Sequence, residues 1–326
     1  MSALPQGWSL AASAFNWTPE VIRAERSPER IAVDIVAEGI ARVIEIEPGQ
    51  TWRGFPEPSA AEARALRERL EAVGGRVSIL GGSIDEFRPD DSRRDDAARL
   101  AFLLPQLRAA AQVGAQGLRL PIGQAGEPLL RALIPHLEEL DLVLFEEAQG
   151  HQTPDAAAAD FERIATIDHP RVRLLVDISM LMPALPVSYL ETLERGGLDA
   201  ALVTRLRDEW ADPATQGAVF EALRSGAVPG PIHTLFMDLV VRFGRSPAAV
   251  LRPVLPLVGA FHLKFWDLDD ADGRVSAPIR ELAAELRDSA FTGTLCSEWG
   301  GHEWLDDDPA AMTRAHLELA RNALAS

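Results

Sequence analysis

The chain has 326 residues, 47% of them hydrophobic, enough to bury a large core. With 49 acidic against 32 basic side chains its formal net charge is −17, which repels phosphate backbones and argues against a nucleic-acid partner. The single cysteine, Cys296, excludes an intrachain disulfide framework. No apolar run reaches the roughly 18 residues of a membrane span, and the first eight residues lack a signal-peptide pattern, so a reducing cytoplasm is expected. In chain order, residues 8–13 read as a first strand, followed by a loop at Asn16-Trp17-Thr18-Pro19. Ser27-Pro28 opens a helix to about residue 40, with serine at the N-cap and proline at the first helical position. Residues 42–47 are the second strand, closed by Pro48-Gly49. Ser59-x-x-Glu62 is a capping box for a helix that ends at Gly74-Gly75. Residues 76–80 are the third strand, and 95–115 a long helix. The fourth strand is 117–121, with a helix over 127–140. The fifth is 142–146, and its helix runs from Thr153-Pro154-Asp155 to near Asp168-His169-Pro170. The sixth strand is 173–177, the seventh 261–266 and the eighth 294–299; a helix over about 309–324 closes the chain.

Eight short apolar strands alternating with helices predict parallel βα units, and eight units predict a closed (β/α)8 TIM barrel, an α/β fold occupying residues 1–326 as one domain. The rival, an open doubly wound sheet, lacks its Gly-x-Gly-x-x-Gly turn after the first strand. Between Asp177 and His262 lie 84 residues, where one βα unit needs about 30. Residues 180–258 therefore read as a helical insertion after strand 6, with helices at 188–195, 198–210, 215–225, 233–243 and 246–255. It leaves from the C-terminal end of a strand, the face that carries barrel active sites, and is expected to cap the mouth or meet a partner.

The stretch Phe261-His262-Leu263-Lys264-Phe265-Trp266 organises the reading. As a strand it places His262, Lys264 and Trp266 on one face and three apolar residues on the other. Lys264 is the only lysine in the chain. The fifth strand ends in Glu146-Glu147, the sixth in Asp177, and the eighth carries Glu298. Taken singly, each is an ordinary helix cap or solvated loop residue. Together, at one rim, an imidazole and three carboxylates form a hard, oxygen-rich set suited to Mn²⁺ or Mg²⁺. Glu146 and Glu147 cannot both face the pore. Glu147 is preferred because Gln149 then shares its face, with Glu146 as the alternative.

Phe-Glu-Glu-Ala-Gln-Gly (145–150), Leu-Leu-Val-Asp (174–177), Phe-His-Leu-Lys-Phe-Trp (261–266) and Cys-Ser-Glu-Trp-Gly-Gly-His-Glu-Trp (296–304) resemble the xylose-isomerase-like barrel superfamily of sugar isomerases, epimerases and endonuclease-IV-like proteins. The run from Gln149 to Pro154, the two motifs around His262 and Glu298, and the long insertion are more similar to the catalytic α subunits of bacterial C-glycoside deglycosidases. That resemblance implies a metal-dependent lyase that works with a small β subunit on 3-oxo-C-glucosides. It implies a divalent metal, Mn²⁺ foremost and Mg²⁺ or Co²⁺ otherwise, held by Glu147 (or Glu146), Asp177, His262 and Glu298. In such chemistry a 3-keto group acidifies the C2 proton, a base removes it, and an acid protonates the departing aglycone. His151 and Lys264 are the candidate bases, with His302 a weaker candidate on the last loop. Gln149, Trp266, Trp299 and His302 are expected to contact the sugar or flavonoid. Met180 stands three residues after Asp177, where sugar isomerases carry a histidine. A ketose epimerase or isomerase working without a second subunit is the runner-up, and a barrel serving only as a binding subunit the third reading. An apurinic endonuclease is disfavoured by the net charge.

Overall fold

The computed structural model describes residues 4–88, 90 and 92–326. Eight parallel strands close into a barrel in sequence order: β1 (Trp8–Ser13), β2 (Val43–Ile46), β3 (Arg76–Gly81), β4 (Gly117–Pro121), β5 (Val143–Ala148), β6 (Val172–Asp177), β7 (Val258–Phe265) and β8 (Gly293–Trp299). The ring is shut by β8 against β1, Trp8 opposite Gly293 and Ala12 opposite Ser297. The fold is the expected (β/α)8 barrel.

The helices form where the chain offers caps. Ser27 accepts from the Arg30 amide to start α1 (Pro28–Ala37), and Ser59 with Glu62 completes both bonds of a capping box on α2 (Ala60–Ala72). Asp95 caps α3 (Asp96–Val113), which Gly114 ends in the left-handed region at φ 79°. Next come α4 (Glu127–Glu139) and α5 (Ala158–Ile167). Outward-facing strand residues such as Ile44, Leu118, Leu144, Val176, Phe261, Leu263 and Leu295 meet these helices in one large apolar cluster.

The lumen is filled differently. Ile79, Phe145, Leu175 and Ala260 make a small apolar plug halfway down. Phe145 needs its glycine neighbours. A Cβ on Gly117 would lie 2.7 Å from its ring and 2.1 Å from the Val143 carbonyl, and one on Gly259 would lie 2.8 Å from the ring. Above this plug the inward-facing residues of β5 to β8 are Glu147, Asp177, His262, Lys264 and Glu298.

Several local expectations are corrected. The stretch expected as a loop at residues 16–19 belongs to a 3-10 turn (Ala14–Trp17) running into a short helix (Thr18–Ile22). Ser13 caps the turn and the Thr18 hydroxyl donates to the Phe15 carbonyl. The helix expected from Thr153 begins at Ala158, because Thr153 accepts from Ala156 and closes a separate turn first. In the insertion, α6 (Val187–Arg195), α7 (Ala200–Asp208) and α8 (Pro213–Arg224) match expectation, whereas 233–243 divides into His233–Phe236 and Asp238–Val241. Residues 246–255 form only 3-10 turns, since Pro247, Pro253 and Pro256 lack the amides a helix requires. The sequence predicts no helix between β7 and β8, yet α9 (Ser276–Arg287) lies there. Its first amides are held by Asp270, which accepts from Val275 and Ser276 across five and six residues. Helix α10 (Pro309–Ala325) ends the chain. Among the described residues no helix is long and apolar enough to cross a membrane.

The insertion has its own apolar cluster, including Tyr189, Leu193, Trp210, Phe236 and Phe243, and Trp266 of the barrel belongs to it. Its main chain also docks directly on the barrel: Gly244 donates to Ser179 and Ser246 to Met180.

Candidate metal centre

Inward-facing residues recur every second position along a strand. On β7 these are His262 and Lys264; on β5, Phe145 and then Glu147; on β6, Leu175 and then Asp177. Glu298 faces inward from β8. The structure brings Glu147, Asp177, His262 and Glu298 together, all buried, with one ligand atom from each lying within 4.8 Å of the others. Glu146, the alternative to Glu147, points out of the barrel toward the Gly123 amide.

Nδ1 of His262 lies 2.9 Å from Glu147 Oε1 and 3.2 Å from Glu298 Oε2, yet it is not aligned as a donor to either and has no hydrogen-bond partner. Oδ2 of Asp177 is likewise buried without a partner, while its Oδ1 accepts from the Ser179 amide. Buried polar atoms without partners are rare in folded proteins. Two of them aimed at one point, beside two further carboxylates, fit the ligand set of a divalent cation.

Charge supports the same fit. Glu45, Glu47, Glu147, Asp177 and Glu298 gather around the basic groups Arg119, Lys264 and His262. Burial raises Asp177 to about 6, with Lys264 opposing it and Glu298 adding to it. Burial also disfavours ionised Glu147, but Arg119 and His262 outweigh it and bring the carboxyl to about 2. Glu298 is likewise driven low, His262 and Lys264 overcoming its desolvation. The ammonium of Lys264 is 2.9 Å from Glu298 Oε2; burial opposes its charge, while Glu298 and Asp177 raise its pKa above the usual lysine value.

A cavity of about 450 Å³ opens above the cluster, lined by Glu47, Arg119, Glu147, Gln149, Lys264 and Glu298 on its polar side and by Phe15, Phe55 and Trp266 on its apolar side. Arg242 of the insertion also lines it, held by Glu303 and by Asp238 at 3.3 Å. A larger cavity of about 1210 Å³ lies at the opposite, N-terminal mouth, beneath the Phe145 plug. It contains none of the clustered ligands, so the chemistry is assigned to the smaller one.

Of the other residues singled out from sequence, Gln149, Lys264 and Trp266 line this cavity, while His151, Trp299 and His302 do not. His151 Nε2 lies 3.3 Å from the Leu239 carbonyl of the insertion. Trp299 is fully buried and donates to the Trp266 carbonyl, so a stacking role on a substrate is corrected to a packing one. His302 is packed between Phe15 and Trp299 with a buried, unpartnered Nε2, and burial lowers it to about 4.

Sequence reasoning missed Glu45, Glu47, Arg119 and Arg242. Glu45 and Glu47 share a strand face in the same i, i+2 pattern as His262 and Lys264, and that signal was available. Glu47 and Glu147 are bridged by Arg119. The Glu47 carboxylate rests on bare Gly81, where a Cβ would come within 2.1 Å of Oε2.

No protein-family model matches the chain. The chain is 26% identical to the C-glycoside deglycosidase alpha subunit of Arthrobacter globiformis, over 98% of this chain and 93% of that protein. It is 25% identical to the 3'-dehydrocarminate deglycosidase alpha subunit of a Microbacterium species, over 98% and 95%. Among solved structures it resembles a xylose isomerase domain protein from Alicyclobacillus acidocaldarius, with a TM-score of 0.55, 16% identity and 98% of each chain covered. That last likeness is one of fold. The expected similarity to deglycosidase α subunits thus runs through nearly the whole chain.

Proposed function

We propose that this chain is the catalytic α subunit of a metal-dependent C-glycoside deglycosidase, a carbon–carbon lyase acting on 3-oxo-C-glucosides. One observation carries the reading: Glu147, Asp177, His262 and Glu298 present ligand atoms to one point beneath a cavity with a polar, charged side and an aromatic side. The two deglycosidase α subunits that match over 98% of the chain supply the substrate class. Three carboxylates and one imidazole suit Mn²⁺ foremost, with Mg²⁺ or Co²⁺ as substitutes. A cation held there would act as a Lewis acid on the 3-keto sugar.

The remaining chemistry belongs to the chain. In the elimination the C2–H bond breaks and its electrons form C1=C2. The C1–aglycone bond breaks with its electron pair on the aglycone carbon, which takes up a proton. The products are an unsaturated 3-keto sugar and intact aglycone, with no oxidant or reductant consumed. Lys264 faces the cavity as an ammonium, so its role is to donate the proton to the departing carbon rather than to act as a base. His151 is neutral at pH 7, because burial lowers its pKa, and we assign it the C2 proton. That role requires its ring to leave the Leu239 carbonyl and enter the cavity, which it does not line in this structure. Glu47, Arg119 and Gln149 offer hydrogen bonds to sugar hydroxyls, and Phe15, Phe55 and Trp266 offer apolar surface to an aromatic aglycone. A small β subunit is the proposed partner, since the matched relatives are named alpha subunits.

The test is incubation of the purified chain, alone and with a co-expressed β subunit, with a 3-oxo-C-glucoside in Mn²⁺ or in EDTA. Free aglycone should appear with Mn²⁺ and vanish in EDTA. Aglycone release that ignores EDTA contradicts the proposal. Epimerised free ketose without aglycone release would give the site to an isomerase instead.

A further inference from the structure

We infer that Glu45 is a positioning residue that fixes the tautomer and orientation of His262 so that Nδ1 faces the cation. The inference rests on the metal reading above. Glu45 comes from β2 and His262 from β7, strands that are not neighbours in the barrel order, so their contact spans the lumen. His262 Nε2 stands 2.9 Å from Glu45 Oε2, with the two side chains 0% and 3% exposed. An ionised carboxylate only accepts hydrogen bonds. Glu45 therefore holds a proton on Nε2, which leaves Nδ1 as the ring atom offered to a cation. That is the ring atom that is buried, unpartnered and within 2.9 to 3.2 Å of Glu147 and Glu298.

Without Glu45 the ring is free to carry its proton on Nδ1 and donate it to Glu147 or Glu298, which would close the site with an internal hydrogen bond. Glu47, two residues on, cannot stand in, because Arg119 holds it. An outer carboxylate that orients a ligating histidine is a recurring device, and its loss weakens metal binding about 10- to 100-fold.

The experiment measures Mn²⁺ binding, on the metal alone, for the wild type, E45A and E45Q. It also records the ¹⁵N imidazole spectrum of His262 in the wild type loaded with diamagnetic Mg²⁺. The expected outcome is a ring protonated on Nε2, a Kd raised about 10- to 100-fold in E45A, and recovery of most affinity in E45Q, whose amide oxygen still accepts from Nε2. A wild-type proton on Nδ1, an E45A Kd equal to the wild type's, or an E45Q no better than E45A would each overturn the inference. A wild type that binds no Mn²⁺ would overturn the metal reading as well, and so is told apart from failure of Glu45 alone.

Discussion

Glu146 and Glu147 are consecutive in β5 and have opposite surroundings. Glu147 faces the lumen, where Arg119 and His262 hold it ionised against its burial. Glu146 faces the helices, where burial raises it to about 8 and leaves Oε1 with no partner. A strand's period of two forces the separation. E147Q should therefore lose Mn²⁺ binding, while E146Q should keep it and be at least as stable as the wild type, since it replaces a buried carboxyl whose Oε1 has no partner. Calorimetric metal titration and thermal melts of the two variants check this. If E146Q loses the metal and E147Q retains it, β5 has been placed one residue out of register.

At the scale of single elements, most of the barrel could be read from the sequence because its strands are short, apolar and separated by strong caps. What could not be read depends on contacts distant in sequence. Helix α9 escaped because its capping carboxylate, Asp270, lies too far upstream for a local cap pattern. The four proposed ligands are legible as strand-end residues, whereas Arg119 shows no role in the sequence because its two partners, Glu47 just after β2 and Glu147 on β5, are distant in the chain. Trp299 was misread because an aromatic after a candidate ligand looks the same in sequence whether it lines a cavity or sits behind it.

Helix α10 offers a test of such a distant contact. His316 stacks on Phe265 at 3.9 Å, and its Nδ1 meets the Ser297 hydroxyl at 2.8 Å. Burial lowers it to about 3. The unfolded chain takes up this proton near pH 6.5 and the folded chain does not, so stability should fall as pH drops from about 6.5 toward 3. H316N removes that dependence at some cost in packing at every pH. Its deficit against the wild type should therefore shrink between pH 7 and pH 4, by on the order of 1 kcal/mol per pH unit. A deficit constant across this range would show that His316 is protonated in the fold.

For the whole molecule, the barrel supplies the ligands and the insertion shapes what lies above them. Trp266 and Trp304, both following barrel strands, pack into the insertion's apolar cluster. Arg242 reaches back into the cavity. The two parts meet backbone to backbone at Gly244, where a Cβ would stand 2.5 Å from the Gly150 carbonyl and from Met180 Cα. G244A should cost about 1–3 kcal/mol, as overpacking does, and should speed proteolysis within the insertion while the barrel persists. A G244A chain as stable and as protease-resistant as the wild type would mean that this seam is loose.

The central claim is that side chains from β5, β6, β7 and β8 share one divalent ion. Anomalous diffraction at the manganese absorption edge, from crystals grown with Mn²⁺, tests it most directly. One strong peak bounded by Glu147, Asp177, His262 Nδ1 and Glu298 is expected. A peak bound elsewhere, or none there at saturating Mn²⁺, would contradict it.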